Sequence, residues 1–388
     1  MNFPALKVKP IAIVLPQFHP IPENDLWWGN GFTEWSNVVK ARPRFKGHYQ
    51  PHLPKHLGFY DLRLPEAREA QADLAKQYGI FGFCYYHYWF SGKRVLEKPV
   101  DAILATGKPD FPFMLCWANE NWTRNWDGGF NKVLLKQHYS IDDFIKHAKH
   151  LVSYFRDPRY IRVDDRPVFA IYKDIEINDI DICLEAFRGE LRTHGIEIYL
   201  CRFERRFGTH PDRRMSYKFF DAGIEFQPLT RQFDKAINKT SPLRSVLKLL
   251  KPSCYNRWFR RRLGLKIRKP DHVFDYQFVV NMDLQHDFQE GLPIFPGVSP
   301  GWDNSSRRPD GGALILNNSN PIRFQEWIEG KIRLTNWDLL PVPFLFVNAW
   351  NEWAEGNHLE PCEKWGLSYL ESLQQAINRA TSFKNYDH

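Results

Sequence analysis

Short apolar runs recur along the chain and alternate with longer amphipathic stretches. The runs are rich in Ile, Val, Phe and Tyr and occupy residues 11–19, 79–89, 111–121, 166–173, 196–204, 222–228, 292–304 and 343–353. The amphipathic stretches predict helices at 65–78, 141–155, 180–194 and 321–336. Continuous apolar runs separated by helices are typical of parallel strands that are buried on both faces.

Eight such units predict a (β/α)8 barrel that forms one catalytic domain over residues 1–388, with an open doubly wound sheet as the alternative. Almost every run begins apolar and ends in polar or aromatic residues. A closed barrel gathers all these ends around one mouth, which favours the barrel. The seventh strand is the least defined, because 273–280 competes with 292–304 for that place. Two segments are longer than the loops of a minimal barrel: a first loop at 20–60 and a basic insertion at 230–290.

The last apolar run leads directly into two glutamates, Glu352 and Glu355, three positions apart in NAWNEWAEG. If one helical turn follows the strand, both carboxylates share a face and point into the barrel mouth. Neighbouring carboxylates raise each other's pKa and can divide acid and base roles. Trp350 and Trp353 would supply an apolar wall, which helps keep one of the two acids protonated near neutral pH. Glycosidic bond cleavage uses such a pair. The alternative is an exposed helix start, where acidic residues are favoured.

Aromatic residues make up 15% of the chain, which indicates either a large aromatic core or faces on which sugars stack. Polar side chains beside aromatic rings at the ends of the runs are therefore the predicted substrate-binding residues. The predicted set is Glu34, Trp35, His19, Tyr86, His87, Trp89, Trp117, Asn119, Glu120, Trp122, Asn348, Trp350 and Trp302. Structural roles stay open for the two histidines, and a helix capping box or a surface acid stays open for Glu34.

Four long blocks carry a resemblance to a known family: 15–38, 85–99, 115–128 and WNEWAEGNHLEP at 350–361. They resemble the family-99-like glycoside hydrolase domain, which contains endo-α-1,2-mannosidases and many bacterial proteins of lipopolysaccharide O-antigen biosynthesis. The early blocks resemble the biosynthetic branch and differ from the mannosidase branch. Neither mannose nor an α-1,2 linkage is therefore implied.

The resemblance implies a (β/α)8 barrel that acts on glycans with retention of anomeric configuration. In the hydrolases of that family, the first glutamate of the motif assists attack by the sugar's own 2-hydroxyl, and the second protonates the leaving group. If these roles apply to the matching positions of this sequence, Glu352 would be the base and Glu355 the acid/base. The chemistry is plausible because a neighbouring hydroxyl is already at high effective concentration.

The net charge of +8 is concentrated in one segment. Residues 230–272 contain thirteen Lys/Arg and two Asp, about +11, which leaves about −3 for the remainder. Basic and apolar residues alternate in 235–270, which indicates peripheral contact with an anionic membrane, with a solvated surface segment or a lid as the alternative. No nucleic-acid-binding fold is indicated, so nucleic acid is not an expected partner.

Six scattered cysteines without a CxxC motif indicate reduced core thiols and a cytoplasmic protein. The basic segment adds a peripheral location at the inner membrane face as an option. No signal peptide pattern and no spanning apolar stretch are recognised. No cofactor or metal is indicated by the sequence.

Three functions are compatible with the sequence. The first is a retaining, endo-type glycoside hydrolase of bacterial surface polysaccharide metabolism. The second is a glycosyltransferase or transglycosylase of O-antigen or capsule assembly. No glycine fingerprint for a nucleotide is present, however, and the only Asp-x-Asp, Asp179 to Asp181, opens a predicted helix. The third is a carbohydrate-binding protein without catalysis.

Overall fold

Parallel strands form a closed ring in the computed structural model, which describes residues 6–124, 129–204, 217–228, 270–285 and 292–383. The ring strands are β1 (Lys9–Val14), β2 (Gly82–Phe90), β3 (Phe113–Trp117), β4 (Arg166–Ile171), β5 (Tyr199–Glu204), β6 (Ala222–Glu225), β7 (Ile294–Phe295 and Gly297–Val298) and β8 (Phe344–Val347). Neighbours in the ring are neighbours in sequence, and β1 pairs with β8 through Ile11 and Phe346.

The ring closes at β7, which pairs in two parts on either side of Pro296. Phe295 lies opposite Ile224 of β6, and Gly297 lies opposite Phe346 of β8. This closure confirms the predicted (β/α)8 barrel and excludes an open sheet. The competing segment 273–280 is not a ring strand. Its first residues belong to the strand His272–Asp275, which pairs with Leu314–Asn317 outside the ring.

Helices pack around the ring and fill the first loop. They are α1 (Pro22–Trp28), α2 (Glu34–Val38), α3 (Pro65–Gln77), α4 (Lys98–Thr106), α5 (Ile141–Phe155), α6 (Ile180–Thr193), α7 (Tyr276–Leu284), α8 (Pro321–Leu334) and α9 (Ser368–Phe383). The four helices predicted from amphipathic spacing correspond to α3, α5, α6 and α8. Side-chain caps explain two of the starts: Ser140 accepts a hydrogen bond from the N–H of Asp143, and Asn320 from that of Arg323.

A close backbone contact and a buried ion cluster join β6, β7, α7 and α8. A Cβ added at Gly297 would lie 2.1 Å from the carbonyl oxygen of Glu225, so only glycine allows this approach. The ammonium of Lys331 lies 2.7 Å from Glu225 Oε2 and 2.9 Å from Asp283 Oδ2. These contacts fix the part of the ring where the predicted seventh strand was least certain.

Residues 229–269 lie outside the described part of the chain, and so does most of the predicted basic insertion with its membrane contact. The described cysteines, Cys84, Cys116, Cys183, Cys201 and Cys362, are buried and carry no disulfide. Among the described residues, no helix combines the length and apolar character needed to cross a membrane.

Candidate active site

The chain after β8 forms a tight turn that carries both predicted catalytic glutamates. Asn351–Glu352 pairs antiparallel with Asn357–His358, and a 3-10 helix, Trp353–Glu355, lies between them. The turn ends at Gly356, whose φ of 56° is in the left-handed region. An added Cβ there would lie 2.9 Å from the Cβ of Asp303, so glycine permits both the turn and the close approach of the neighbouring loop.

Asn351 anchors this turn to the first strand's end. Its Oδ1 accepts from the N–H of Leu15 at 2.7 Å, and its Nδ2 donates to the carbonyl of Leu15 at 3.1 Å. Behind the turn, Trp353 donates to Glu360 Oε2 at 2.6 Å and stacks on His358 with ring centroids 3.8 Å apart. The turn is therefore fixed on two sides, and its glutamates have little freedom to reorient.

A second loop, which follows β7, binds to the same turn. The backbone N–H of Asp303 donates to the carbonyl of Glu355 at 2.5 Å, and the hydroxyl of Ser306 donates to the carbonyl of Ala354. The carboxylate of Asp303 is held in turn by His48 Nε2 and Gln50 Nε2, each 2.6 Å from its Oδ2. This loop contains the 3-10 helix Asn304–Arg307 and places Arg307 beside the two glutamates.

One guanidinium bridges three carboxylates at the centre of the site. Nη1 of Arg307 lies 2.7 Å from Glu355 Oε1, while Nη2 lies 2.6 Å from Glu34 Oε1 and 3.0 Å from Glu352 Oε2. Glu34 comes from the start of α2 and is fully buried, and its Oε1 also accepts from the N–H of Ala354. The cluster therefore joins the first loop, the β7 loop and the β8 turn.

Three carboxylates surround one guanidinium in this cluster, and the pKa values of Glu352 and Arg307 are shifted as a result. Burial raises the pKa of Glu352 from 4.5 to about 8, the negative charge of Glu355 adds to the rise, and Arg307 opposes it. Burial alone would lower the pKa of Arg307, but the carboxylates outweigh burial and raise that pKa well above its ordinary value. The protonated form of Glu352 is therefore favoured, and the guanidinium stays charged.

A cavity of about 230 Å³ opens beside the glutamate pair at the carboxyl ends of the strands. Its wall consists of Leu15, Gln17, Asn24, Trp27, Trp28, Tyr86, Tyr88, Ala118, Glu120, Asn121, Trp122, Thr123, Leu134, Tyr172, Phe226, Arg307, Glu352 and Glu355. The indole of Trp122 contacts Trp27 and Tyr88 edge to face, with centroids 5.8 and 5.2 Å apart. Aromatic rings, amides and carboxylates thus surround one hollow, which is the chemistry that sugars require.

The cavity wall includes five of the predicted site residues: Tyr86, Glu120, Trp122, Glu352 and Glu355. Burial and then nearby Tyr172 and Glu352 raise the pKa of Tyr86 well above its ordinary value, so its phenol stays neutral. Glu120 contacts the ammonium of Lys173 at 3.1 Å.

Most other predicted binding residues are buried and do not line this cavity; these are Glu34, Trp35, His19, His87, Trp89, Trp117, Asn119, Asn348 and Trp350. Indole and amide donors among them find protein acceptors: Trp117 donates to the carbonyl of Trp89, and Trp89 donates to Asp143. Burial lowers the pKa of His19 to about 4, which keeps its ring neutral. These residues support the wall, and direct substrate contact by them stays a prediction.

Trp302, also predicted to bind substrate, does not line this cavity, and its contact with substrate stays a prediction. It lines a second, smaller cavity of about 90 Å³, together with Tyr49, His52, Lys364 and Trp365 among others. The β7 loop and the turn at Gly356 lie between the two cavities.

Sequence reasoning did not identify Arg307, which is the central residue of the cluster. It belongs to the polar segment SPGWDNSSRRPDGG after the seventh apolar run, and two adjacent arginines there were the available signal. Gln17, Asn24, Tyr172 and Phe226 also line the cavity without having been predicted. They occur singly at strand ends or in the first loop.

Comparison with known proteins identifies the family. The family described as Glycosyltransferase WbsX matches residues 10–373. The chain belongs to the WbsX family. Two curated relatives, both uncharacterised proteins named WxcX from strains of Xanthomonas campestris pv. campestris, are 40% identical to it over 381 residues. The alignment covers 95% of this WbsX chain but 50% of each relative, so the chain spans about half the length of the curated relatives it matches.

Solved structures resemble this WbsX family member in fold. The GH99 endo-alpha-mannosidase from Bacteroides thetaiotaomicron superposes with a TM-score of 0.58 at 13% identity, covering 98% of this chain and 99% of that one. A structure described as a glycoside hydrolase-like protein gives 0.55 at 14% identity, covering 97% and 95%. The barrel and the resemblance to the family-99-like branch are thereby confirmed.

Proposed function

We propose that this WbsX family member is an enzyme that breaks a glycosidic bond with retention of anomeric configuration. The observation that carries the proposal is the pairing of Glu352 and Glu355 around one guanidinium, at one end of an aromatic-lined cavity. Retaining glycosidases use two closely spaced carboxylates, and contact with the same guanidinium keeps this pair close. The barrel shared with a GH99 endo-alpha-mannosidase and with a glycoside hydrolase-like protein supports the assignment.

The reaction divides into two balanced steps. In the first, one carboxylate takes the proton of the sugar's 2-hydroxyl, O2 attacks C1, and the bond from C1 to the leaving oxygen breaks. The electron pair of that bond goes to the leaving oxygen, which takes a proton from the other glutamate. In the second step, the oxygen of a hydroxyl compound attacks C1 of the 1,2-anhydro sugar and gives up its proton to one glutamate. The C1–O2 bond breaks, its electron pair stays on O2, and O2 takes a proton from the other glutamate. Two inversions at C1 give net retention.

The attacking compound in the second step distinguishes a hydrolase from a transglycosylase. Water gives hydrolysis within a bacterial surface polysaccharide, while a sugar hydroxyl gives transfer. The family description as a glycosyltransferase favours transfer as the second candidate. Asp179 and Asp181 do not supply a diphosphate site in this cavity, because both are exposed at the start of α6 and neither lines it.

The test is a product assay on a panel of bacterial polysaccharides, and separately on nucleotide sugars with acceptors. Shortened chains, or chains with exchanged ends, are expected in the first set by mass spectrometry. Glu355→Gln should lower turnover by at least about 100-fold, as expected for loss of a proton-transfer group. The matched control is Glu363→Gln, an exposed glutamate outside the cavity, which should leave turnover unchanged.

A carbohydrate-binding protein without catalysis gives a different result in the same assay. Sugar affinity would be measurable and would survive loss of both Glu352 and Glu355, and no product would form in any variant. Product formed only from nucleotide sugars would also overturn the proposal, since that donor chemistry does not need the pair.

We also propose that the glycan is presented at a membrane, which rests on the charge of residues 235–270. Cosedimentation with phosphatidylglycerol vesicles is expected, and not with phosphatidylcholine vesicles. Replacing Arg260, Arg261 and Arg262 by Glu should abolish it and leave turnover on a soluble glycan unchanged. Equal vesicle binding by both forms would reject this part.

A further inference from the structure

Alternate side chains of β2 face opposite sides of the ring near the carboxyl end of the strand. Trp89 points outward to α5, where its indole donates to Asp143 Oδ1 at 3.0 Å, and His87 lies 3.0 Å from a histidine nitrogen of the same helix. Successive side chains of a strand point to opposite faces, so Tyr86 and Tyr88 point the other way. Both line the candidate active-site cavity. The strand therefore presents two phenols to this cavity.

Contacts with other aromatic rings fix the direction of both phenols. The ring of Tyr86 meets that of Tyr172 edge to face with centroids 5.9 Å apart, and the ring of Tyr88 meets Trp122 in the same way at 5.2 Å. The centroids of the two phenols are 6.4 Å apart. Such contacts hold a ring without using its hydroxyl. Binding a ligand through these hydroxyls therefore costs little further side-chain entropy.

The hydroxyls of Tyr86 and Tyr88 have no hydrogen-bond partner within the part of the chain that the structure describes, and neither oxygen is sealed from solvent. Two other buried phenols show the ordinary situation. The hydroxyl of Tyr60 donates to Glu360 at 2.8 Å, and that of Tyr276 donates to a backbone carbonyl at 2.6 Å. Buried tyrosine hydroxyls usually find such a partner. Two unpaired hydroxyls at one cavity therefore indicate partners that a ligand supplies.

Both phenols keep their protons beside the glutamates. Burial raises the pKa of Tyr88 well above its ordinary value, and the negative charge of Glu352 adds to the rise, while Arg307 opposes it. Burial, then Tyr172 and then Glu352 raise the pKa of Tyr86 in the same direction. Each hydroxyl therefore has a proton to donate to an oxygen of a ligand that lies against Glu352.

We propose that Tyr88, together with Tyr86, is a substrate-contacting residue that donates a hydrogen bond to one hydroxyl oxygen of the sugar bound beside Glu352. A sugar hydroxyl suits this place because it accepts from a phenol and at the same time donates to a carboxyl or amide oxygen. The two tyrosines thereby select sugars with free hydroxyls at the two contacted carbons, since a deoxy position leaves a phenol unpaired. That the sugar is a substrate rests on the proposed function, whereas binding through the two phenols does not.

The first arm of the test removes the phenol hydroxyls and keeps the rings, in Tyr86→Phe and Tyr88→Phe. The probe is an oligosaccharide from whichever polysaccharide of the panel binds, and its affinity is measured by calorimetry in the Glu355→Gln background, which prevents turnover. Each Phe variant should weaken binding by about 3- to 10-fold, the effect of one neutral hydrogen bond. The matched control is Tyr199→Phe, because Tyr199 is also buried but lies at the amino end of β5, away from the cavity. It should leave affinity unchanged.

The second arm removes the sugar hydroxyls one at a time, with monodeoxy forms of the same oligosaccharide. For each tyrosine, one monodeoxy form should bind the full-length protein with both tyrosines at least about threefold more weakly than the parent sugar. Replacing that tyrosine by Phe should then cause no further loss with this form. Such non-additivity is the mark of a direct contact, which a general effect on the fold would not produce.

Three results would overturn the proposal. Equal binding of every monodeoxy form by protein with both tyrosines would do so without any Phe variant. Unchanged affinity in folded Tyr88→Phe protein would also do so, as would a loss from Tyr88→Phe that stays the same with every monodeoxy form.

Turnover separates this inference from the proposed function. Affinity that depends on the two phenols, in a protein that forms no product from any polysaccharide, would reject the enzyme and keep the binding role of the tyrosines. Product formation that is unaffected by Tyr88→Phe, in both kcat and KM, would keep the enzyme and reject the role of Tyr88.

Discussion

Glu34 accepts a hydrogen bond from the backbone N–H of Ala354 at 3.0 Å, although 320 positions separate the two residues. Glu34 opens α2 in the first loop, where Thr33 and Ser36 form a capping box that fixes the start of the helix. Ala354 lies inside the turn that carries both glutamates. The first loop is therefore a structural part of the candidate active site.

Replacing Glu34 by Ala should destabilise the protein, and replacing it by Gln should do so much less. Alanine leaves a buried N–H without an acceptor, which costs about 1–3 kcal/mol, whereas the Gln oxygen can still accept. Denaturant unfolding measures both. Equal losses for the two variants would show that the negative charge, and not the acceptor, is what matters.

Trp122→Ala should weaken glycan binding by roughly tenfold, about 1.4 kcal/mol, because its indole is part of the aromatic wall. Affinity can be measured by calorimetry in the Glu355→Gln background, which prevents turnover. Trp365→Ala is the matched control, since that indole lines the second cavity. Equal weakening by both would place the glycan across the two cavities.

Glu352→Gln should become more stable relative to the unaltered protein as pH rises from 5 to 8. Glu352 titrates near 4.5 when unfolded and about 8 when folded, so the folded state holds the extra proton between these values. The contribution of this group to stability is therefore lost as pH rises through that window, by up to about 1.4 kcal/mol per pH unit.

The difference between the two proteins is the quantity to measure at each pH by denaturant unfolding. Buried His19 and His87, whose pKa values fall to about 4 and about 3, act with the opposite sign below pH 6.5 in both proteins. A difference that stays constant from pH 5 to 8 would contradict the elevated pKa of Glu352.

Gly297→Ala should destabilise the barrel by about 1–3 kcal/mol or more, because the new Cβ would meet the carbonyl oxygen of Glu225. Gly189→Ala is the matched control: Gly189 lies within α6 and an added Cβ there has nothing within 4 Å. That variant should gain about 0.5–1 kcal/mol. Thermal unfolding of both distinguishes a contact at the ring closure from a general effect of methyl addition.

The barrel could be predicted from the sequence because each ring strand is buried on both faces and so appears as a continuous apolar run. Helix ends could be predicted to within two residues where apolar spacing and capping residues agree, as in α5 and α8. The seventh strand was harder, since Pro296 divides it into two pairs of residues. The apolar segment at 273–280 therefore competed with the correctly chosen run at 292–304.

The site was predictable only in part. Glu352 and Glu355 could be identified because they follow a buried strand directly. Arg307 could not, because its role depends on a loop that folds back over that strand's turn. Trp89 and Trp117 were predicted to line the cavity because both lie at strand ends. The sequence does not tell whether such an indole faces the cavity or the protein interior, and in the structure both are buried and do not line the cavity.

The pairing of β1 with β8 has a consequence during synthesis. Until Phe344–Val347 leaves the ribosome, Lys9–Val14 has only β2 to bind, and its other edge offers unpaired amides and carbonyls to any neighbouring nascent chain. Prematurely terminated polypeptides that lack the last strand would keep that edge open and would tend to aggregate. Translation must therefore pass Phe344–Val347 before the open edge of β1 can be covered.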